Sequence, residues 1–340
     1  MPVTIYDVAK KAGVSTATVS KVLSNTPYVS TDTRARVVAV IDELDFVPSL
    51  AARSLSKARS SIIGLVFPYV SDYLFDDPHL MTFLRGVDEV VSAHEYSILL
   101  MTARSGDDAA SSLRRLLHVQ YVDGAIVVGM QSTMPTARAL RHQLYPTVTL
   151  GYASPLGMRN TVHAADRSGA AQVADHLVLL GHHRLAIITG PSEIPAVEER
   201  CEGFRSQLHA NGITIDPDLI VEGDFTQESG YTLASRLLDH ANPPTAVFAI
   251  NDRMGLGLMA YAQARGMDIP NDLSIVGFDD IPAATYAHPP LTTVCQPSRV
   301  MGHVAAERLL ALIEEGGDGF DPVVLPTTFV RRSSTGHPRR

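Results

Sequence analysis

A chain of 340 residues that is 45% hydrophobic can bury more than one core, so two or three domains are expected. No apolar N-terminal run resembles a signal peptide and no window reaches the length of a membrane span, so no membrane partner is expected and the expected location is cytoplasmic and nucleoid-associated. The net charge of −8 is unevenly spread: residues 1–60 hold eight Lys and Arg against five acids, whereas the remainder holds 20 against 31. A basic head on an acidic body is the asymmetry of a DNA-binding module carried by a larger domain. Cys201 and Cys295 lie far apart with no partner motif, the pattern of two reduced thiols.

In chain order, the spacing first predicts two short helices joined by a tight turn, Ile5–Ala12 and Thr16 to about Ser24. Thr4 and Asp7 form a capping box with Asp in place of Glu or Gln, Gly13 supplies a left-handed C-cap, and Ser15 caps the second helix. Val8, Ala9, Val19 and Val22 form the seam between them. Thr16, Ala17, Ser20 and Lys21 point outward, short or basic as a helix in a major groove requires, although an ordinary helical hairpin has the same pattern. A third helix follows, capped by Ser30 or Thr31, with Val37, Val38, Ile41 and Leu44 as its buried face. Arg34 and Arg36 in its first turns could reach phosphates or simply be solvated. Phe46 and Val47 close this small core before Pro48. The segment Pro48–Ser60 is too polar and short to hold a core, and Leu55 within it has nothing local to pack against.

The run TIYDVAKKAGVSTATVSKVLSNTPYVSTDTRARVVAVIDELDFVPSLAARSL resembles the head of the LacI/GalR family of bacterial transcription regulators, without a gap. The resemblance implies a DNA-binding set of Thr4, Ser15, Thr16, Ala17, Ser20, Lys21, Tyr28 and Leu55. Thr16, Ala17 and Lys21 match base-contacting positions; Ala17, lacking a hydrogen-bonding group, can read only shape or a thymine methyl. Leu55 matches the leucine that wedges into the minor groove from a hinge helix formed on operator DNA, which gives that stray apolar side chain a use.

From Ser61 the pattern alternates β and α. Strands are predicted at Ile62–Phe67, Tyr96–Thr102, Gly124–Val128 and Thr147–Leu150, then at Leu185–Thr189, Leu219–Glu222, Ala246–Ile250 and Ser274–Phe278. Helices are predicted at about Leu80–Ala93, Asp107–Val119, Gly169–Leu180, Val197–Ala210, Ser229–Asp239 and Met254–Arg265. Two successive βα runs imply an α/β body of two doubly wound parallel sheets, with a ligand cleft at the carboxyl ends of the strands. The resemblance extends through this body and implies a two-lobed periplasmic-binding-protein-like fold. The expected domains are 1–48 (helix-turn-helix), 49–60 (hinge) and 61–340 (effector-binding and dimerisation). Within the body, one lobe is expected to take about 61–162 with 293–320, and the other 163–292 with 321–340. RRSSTGHPRR has no leucine heptads, so a homodimer is expected in place of a tetramer.

The resemblance also implies an effector pocket of His79, His163, Arg200, Phe225, Asn251 and Asp279. Each has a plain structural alternative: Asn251 is equally an N-cap for the next helix, Phe225 a core aromatic, Arg200 a surface residue. Asp280 is the weaker neighbour of Asp279. Ile194 and Ala196 stand where a purine-responsive relative has an arginine and a threonine, and Gly151 where several sugar-responsive members have an aspartate. Arg200, Asn251 and Asp279 together suit a polyhydroxylated ligand, so a sugar or sugar derivative is the expected effector, with a purine or another metabolite as the alternative. No cofactor and no metal are expected. His182 and His183 are adjacent and face apart. Gly255–Leu258 reads as helix packing, and no phosphate-cradling or nucleophile-elbow motif appears. The chain reads as a DNA-binding regulator, not an enzyme. A secreted sugar receptor would lack the basic head, and a sugar kinase would need a glycine-rich phosphate motif.

Overall fold

The computed structural model describes residues 3–24, 26, 28–46, 59–70, 77–103, 111, 114–115, 122–129, 145–151, 159–192, 194–317 and 319–339. They fall in two compact units, residues 1–62 with 121–123 and the remainder. The first contains α1 (Ile5–Ala12), α2 (Thr16–Leu23) and α3 (Thr31–Glu43). The Thr4 N–H and hydroxyl both donate to Asp7 Oδ2, at 2.8 and 2.6 Å, so the start of α1 is tied back on itself. Those two bonds, the hydroxyl first, hold the Asp7 carboxyl below its usual range. Gly13 ends α1 at a φ of 65°, where a Cβ would be strained. Ser15 Oγ and Ser30 Oγ accept from the N–H groups of Thr18 (3.1 Å) and Thr33 (3.3 Å), starting α2 and α3.

The core of this unit is Val8, Ala9, Ala12, Val19, Val22, Val37, Val40 and Phe46. One expectation is corrected. Val38 is 43% exposed, and Val40 is buried in its stead. Residues 37, 40, 41 and 44 follow one helical stripe, while 38 lies about 100° around the helix from 37. Val47, residues 48–58 including Leu55, and most of the helix expected at Asp107–Val119 lie outside the described residues.

The second unit begins with β1 (Ile62–Val70), α4 (Pro78–Ala93), β2 (Ser97–Ala103), β3 (Gly124–Val128), β4 (Thr147–Leu150) and β5 (Thr161–Ala164). It continues with α5 (Asp166–Leu179), β6 (Leu185–Thr189), α6 (Pro195–Ala210), β7 (Ile220–Glu222), α7 (Gln227–Leu238), β8 (Ala246–Ala249), α8 (Asp252–Ala264), β9 (Ser274–Val276) and α9 (Pro282–Tyr286). The last elements are β10 (Thr293–Cys295), α10 (Ser298–Glu315), β11 (Val323–Leu325) and β12 (Thr328–Val330). Two sheets result, ordered β11-β5-β4-β3-β1-β2 and β7-β6-β8-β9, with a β10-β12 ribbon beside them. β3, β4, β6 and β8 are buried along their whole length, as strands covered on both faces must be. The fold is therefore the two-lobed α/β body that the βα alternation predicts.

Two lobe boundaries shift. β5 stays in the first sheet through Ala164, and β11 pairs parallel to it with Val324 opposite His163. Residues 163–164 and 323–325 therefore belong to the first lobe, because β11 covers an edge of β5 that would otherwise be left unpaired. After the second sheet the chain passes through β10, returns to the first lobe in α10 and β11, then leaves it again in β12, which pairs antiparallel with β10. α10 was not among the predicted helices; its N-cap is Pro297, with no capping side-chain bond to signal it. It lies close against α4, where a Cβ on Gly86 would run into the Arg299 carbonyl oxygen and one on Gly302 into that of Phe83. Similarly, a Cβ on Gly257 would strike the Gln227 carbonyl of α7, so the G-L-G-L run is a helix-packing feature. His182 is buried with its two ring nitrogens on Thr245 Oγ1 and the Gly336 carbonyl, both at 2.9 Å, which fastens the C-terminal tail.

Candidate functional site

In the first unit, α2 buries Val19 and Val22 and turns the opposite side outward, with Ala17 and Lys21 exposed and Thr16 and Ser20 half-buried. Tyr28, just beyond it, is 88% exposed. Two residues of the predicted DNA-facing set have structural duties as well: Ser15 Oγ caps α2, and the Thr4 hydroxyl is held by Asp7. Arg34 is also engaged locally. Its guanidinium donates to the Thr26 carbonyl at 2.7 Å and the Val22 carbonyl at 3.4 Å, satisfying acceptors at the end of α2. Arg36 is exposed.

The second unit encloses a cavity of about 390 Å³ within the size range of small-molecule sites. His79, Arg200, Phe225, Asn251 and Asp279 line it together, as do Gly151, Ile194 and Ala196. The elements explain why these residues converge. His79 is at the start of α4, Arg200 on α6, Phe225 in the turn after β7, Asn251 after β8 and Asp279 after β9. Phe225, Asn251 and Asp279 therefore follow the carboxyl ends of strands, where parallel α/β sheets place ligands, and His79 and Arg200 reach the cavity from helices. His163 is the exception and a correction. It lies on β5 against Val324 and lines a separate hollow with Asp166, Arg167 and Gln207.

Arg200 is the hub. Its Nε donates to Asp166 Oδ1 at 2.8 Å, its Nη1 to the Ile250 carbonyl at 2.5 Å and to Asp279 Oδ1 at 3.2 Å, and the guanidinium stacks 3.9 Å from the Phe278 ring centre. Burial raises the pKa of both Asp166 and Asp279, and the Arg200 charge opposes that rise. Asn251 takes the N-cap role and lines the cavity as well. Its Oδ1 accepts from the Met254 N–H at 2.9 Å as the N-cap of α8, while its Nδ2 donates to the Phe225 carbonyl at 3.0 Å. Asp280 is turned elsewhere, in an ion pair with Arg332 at 2.6 Å. Asp252 next to Asn251 is fully buried, with Oδ2 on the Ile281 N–H and Oδ1 on the Thr293 hydroxyl; burial raises its pKa well above the ordinary value.

Sequence reasoning missed Gln296, which joins the lobes. Its Nε2 donates to Asp279 Oδ1 at 2.6 Å and lies 3.3 Å from His79 Nε2. A carboxylate accepts but does not donate, so the amide must present its NH₂ there. His79 Nε2 then accepts, and His79 Nδ1–H donates to Ser298 Oγ at 3.0 Å. Burial pushes the His79 pKa down to about 4, in keeping with this neutral tautomer. Both His79 nitrogens are thus occupied within the protein. The residue orients Gln296 and also lines the cavity. No motif marks Gln296: it is a lone polar residue after a three-residue strand.

An exposed two-helix face and a polar cleft between parallel-sheet lobes define a DNA-binding regulator with a periplasmic-binding-protein-like body. Residues 4–49 match the model of bacterial regulatory proteins of the lacI family, and residues 174–335 that of the periplasmic binding protein-like domain. The chain is 32% identical to the HTH-type transcriptional repressor CytR of Escherichia coli (strain K12) over 332 residues, covering 98% of this chain and 96% of that protein. It is 36% identical to the HTH-type transcriptional regulator CelR of Thermobifida fusca over 337 residues, covering 97% and 98%. The lac repressor dimer bound to operator and the anti-inducer ONPF matches with a TM-score of 0.88 at 29% identity, over 99% of this chain and 100% of that one. A CelR–cellobiose complex matches with a TM-score of 0.75 at 33% identity, over 98% and 99%. The chain belongs to the lacI family of bacterial regulatory proteins. It is a DNA-binding transcriptional regulator and not an enzyme.

Proposed function

We propose that this regulator is a repressor that binds a two-fold symmetric operator on the chromosome as a homodimer and is controlled by a carbohydrate held in its cleft. Residues 1–48 would read DNA and 49–60 serve as the hinge, with 61–340 binding effector and partner. Thr16, Ala17, Ser20, Lys21 and Tyr28 would meet the half-site, with Thr4 and Ser15 at the helix starts near the backbone and Leu55 as the minor-groove wedge. The observation that carries the effector reading is the Arg200–Asp279–Gln296 network in a cavity whose lining also includes apolar side chains such as Leu80, Ile194 and Phe225. Fixed polar groups among apolar lining suit a sugar ring, whose edges carry hydroxyls and whose faces are largely C–H. Ile194 and Ala196 offer no hydrogen-bonding side chain to a purine. The cellobiose-bound relative supports the same reading.

For the effector to act as a switch it must bind one arrangement of the lobes better than another, and so alter the spacing of two hinges in a dimer. Calorimetric titration of the full chain with sugars and purines tests the effector class. Binding of a sugar supports it, while tight purine binding without any sugar response overturns it.

A further inference from the structure

The acceptors that remain available in the cleft restrict what can enter it. Asp279 Oδ1 is taken by Arg200 and Gln296, whereas Oδ2 has no partner among the described residues and its side chain is 9% exposed. Gln296, its Nε2 committed to Asp279, leaves Oε1 as a second acceptor. Asp77 caps α4 through Oδ1, which accepts from the His79 N–H at 2.9 Å, and its Oδ2 is a third. Asp77, Asp224 and Asp279 line the cavity with Arg200 and Arg253, and Asp166 stands behind Arg200. The charge of Arg200 is shared between Asp166 and Asp279, and burial raises the pKa of Asp77 against the opposing charge of Arg253. Among the described residues the cleft therefore has an excess of carboxylates and of acceptors.

We propose that the cleft selects a neutral or cationic ligand rich in hydroxyl or amine donors, and rejects the phosphorylated form of the same compound. This rests on the carbohydrate reading above and narrows it. Each sugar hydroxyl facing Asp279 Oδ2, Gln296 Oε1 or Asp77 Oδ2 gives an otherwise unfilled acceptor its hydrogen bond. A phosphate brings a charge of about −1.5 to −2 and only acceptor oxygens at neutral pH. It would face those same atoms, and among the described lining residues the carboxylates Asp77, Asp224 and Asp279 outnumber the cations Arg200 and Arg253. Like charges brought together in a partly desolvated site are strongly disfavoured, and a loss of at least ~100-fold in affinity is expected. His79 and Ser298 take part as positioning residues, because their hydrogen bonds orient the Gln296 amide.

The test is isothermal titration of the full chain with matched pairs: ribose and ribose 5-phosphate, glucose and glucose 6-phosphate, cellobiose and its 6-phosphate. Glucosamine and hypoxanthine are run beside them. A neutral sugar or amino sugar should bind, with its phosphate at least ~100-fold weaker at 0.15 M salt. Asp77→Asn keeps the helix cap but removes one charge, so the gap should narrow by about tenfold. A phosphorylated sugar that binds as tightly as its parent, or a gap unaltered in Asp77→Asn, overturns the inference while leaving the carbohydrate reading in place. Binding of hypoxanthine with no sugar in either form removes the carbohydrate reading itself.

Discussion

Replacing Asp279 tests the cleft network from within. Its Oδ1 accepts from Arg200 Nη1 at 3.2 Å and Gln296 Nε2 at 2.6 Å, and both ion-pair partners are largely buried. In Asp279→Asn the amide oxygen can take the same place, so both bonds persist without the charge. Hydrogen bonds to charged groups contribute ~1.5–3 kcal/mol and neutral ones ~0.5–1.5 kcal/mol, so the expected loss is ~1–2 kcal/mol. In Asp279→Ala both donors lose their acceptor and Arg200 keeps only part of its counter-charge, which costs about 3–5 kcal/mol for a buried pair. The backbone works in the same direction: the φ of 109° at this residue is tolerated better by Asn than by Ala. Scanning calorimetry of the full chain would follow the body transition, treated apart from that of the small head. The body of Asp279→Ala should be at least ~1 kcal/mol less stable than that of Asp279→Asn. Equal stability of the two variants would refute the view that Asp279 is held by these donors.

Other expectations follow from single contacts. Ser15→Ala removes the acceptor for the Thr18 N–H and should lower the stability of the head by ~1 kcal/mol in a melt followed by circular dichroism. Gly302→Ala forces a methyl into the Phe83 carbonyl across the α4–α10 contact, and denaturant titration should show a loss of ~1–3 kcal/mol. Lys21→Ala should weaken operator binding and flatten its salt dependence by about one unit of slope, measured by anisotropy across a salt series. Burial pushes the His79 pKa down to about 4 in the fold, against about 6.5 for a free imidazole, so the unfolded chain binds the extra proton first. Its contribution to stability is complete above pH ~6.5 and is lost as the pH falls toward ~4. His79→Gln should flatten the pH dependence of body stability in that window.

The head was legible because its signals are local. Capping residues, a left-handed glycine and one apolar stripe fix three short helices without help from distant parts of the chain. Val38 was misassigned because two adjacent valines offer a choice of face that only the packing decides. The alternation of the body was equally plain, whereas β11 was not: three residues of sheet edge after a glycine-rich turn have no period to detect. In the cleft, Arg200 on a helix and Asp279 after a strand were found through the family resemblance. Gln296 and Asp166 were not, since their roles depend on partners 17 and 34 residues away. His163 and His79 show the same limit from the other side. A histidine near a pocket in sequence can face a different hollow, or can spend both nitrogens on the protein.

The account rests on a link between cleft and operator, and binding linkage offers the direct measurement. Operator fragments recovered by mapping the sites that the protein occupies in the genome would be titrated by fluorescence anisotropy, with and without a saturating sugar shown calorimetrically to bind the cleft. Coupling of this kind is typically ~1–3 kcal/mol, so the operator Kd should change by about 5- to 150-fold, and operator should change the sugar affinity by the same factor. A sugar that fills the cleft and leaves the operator Kd unchanged would contradict the account.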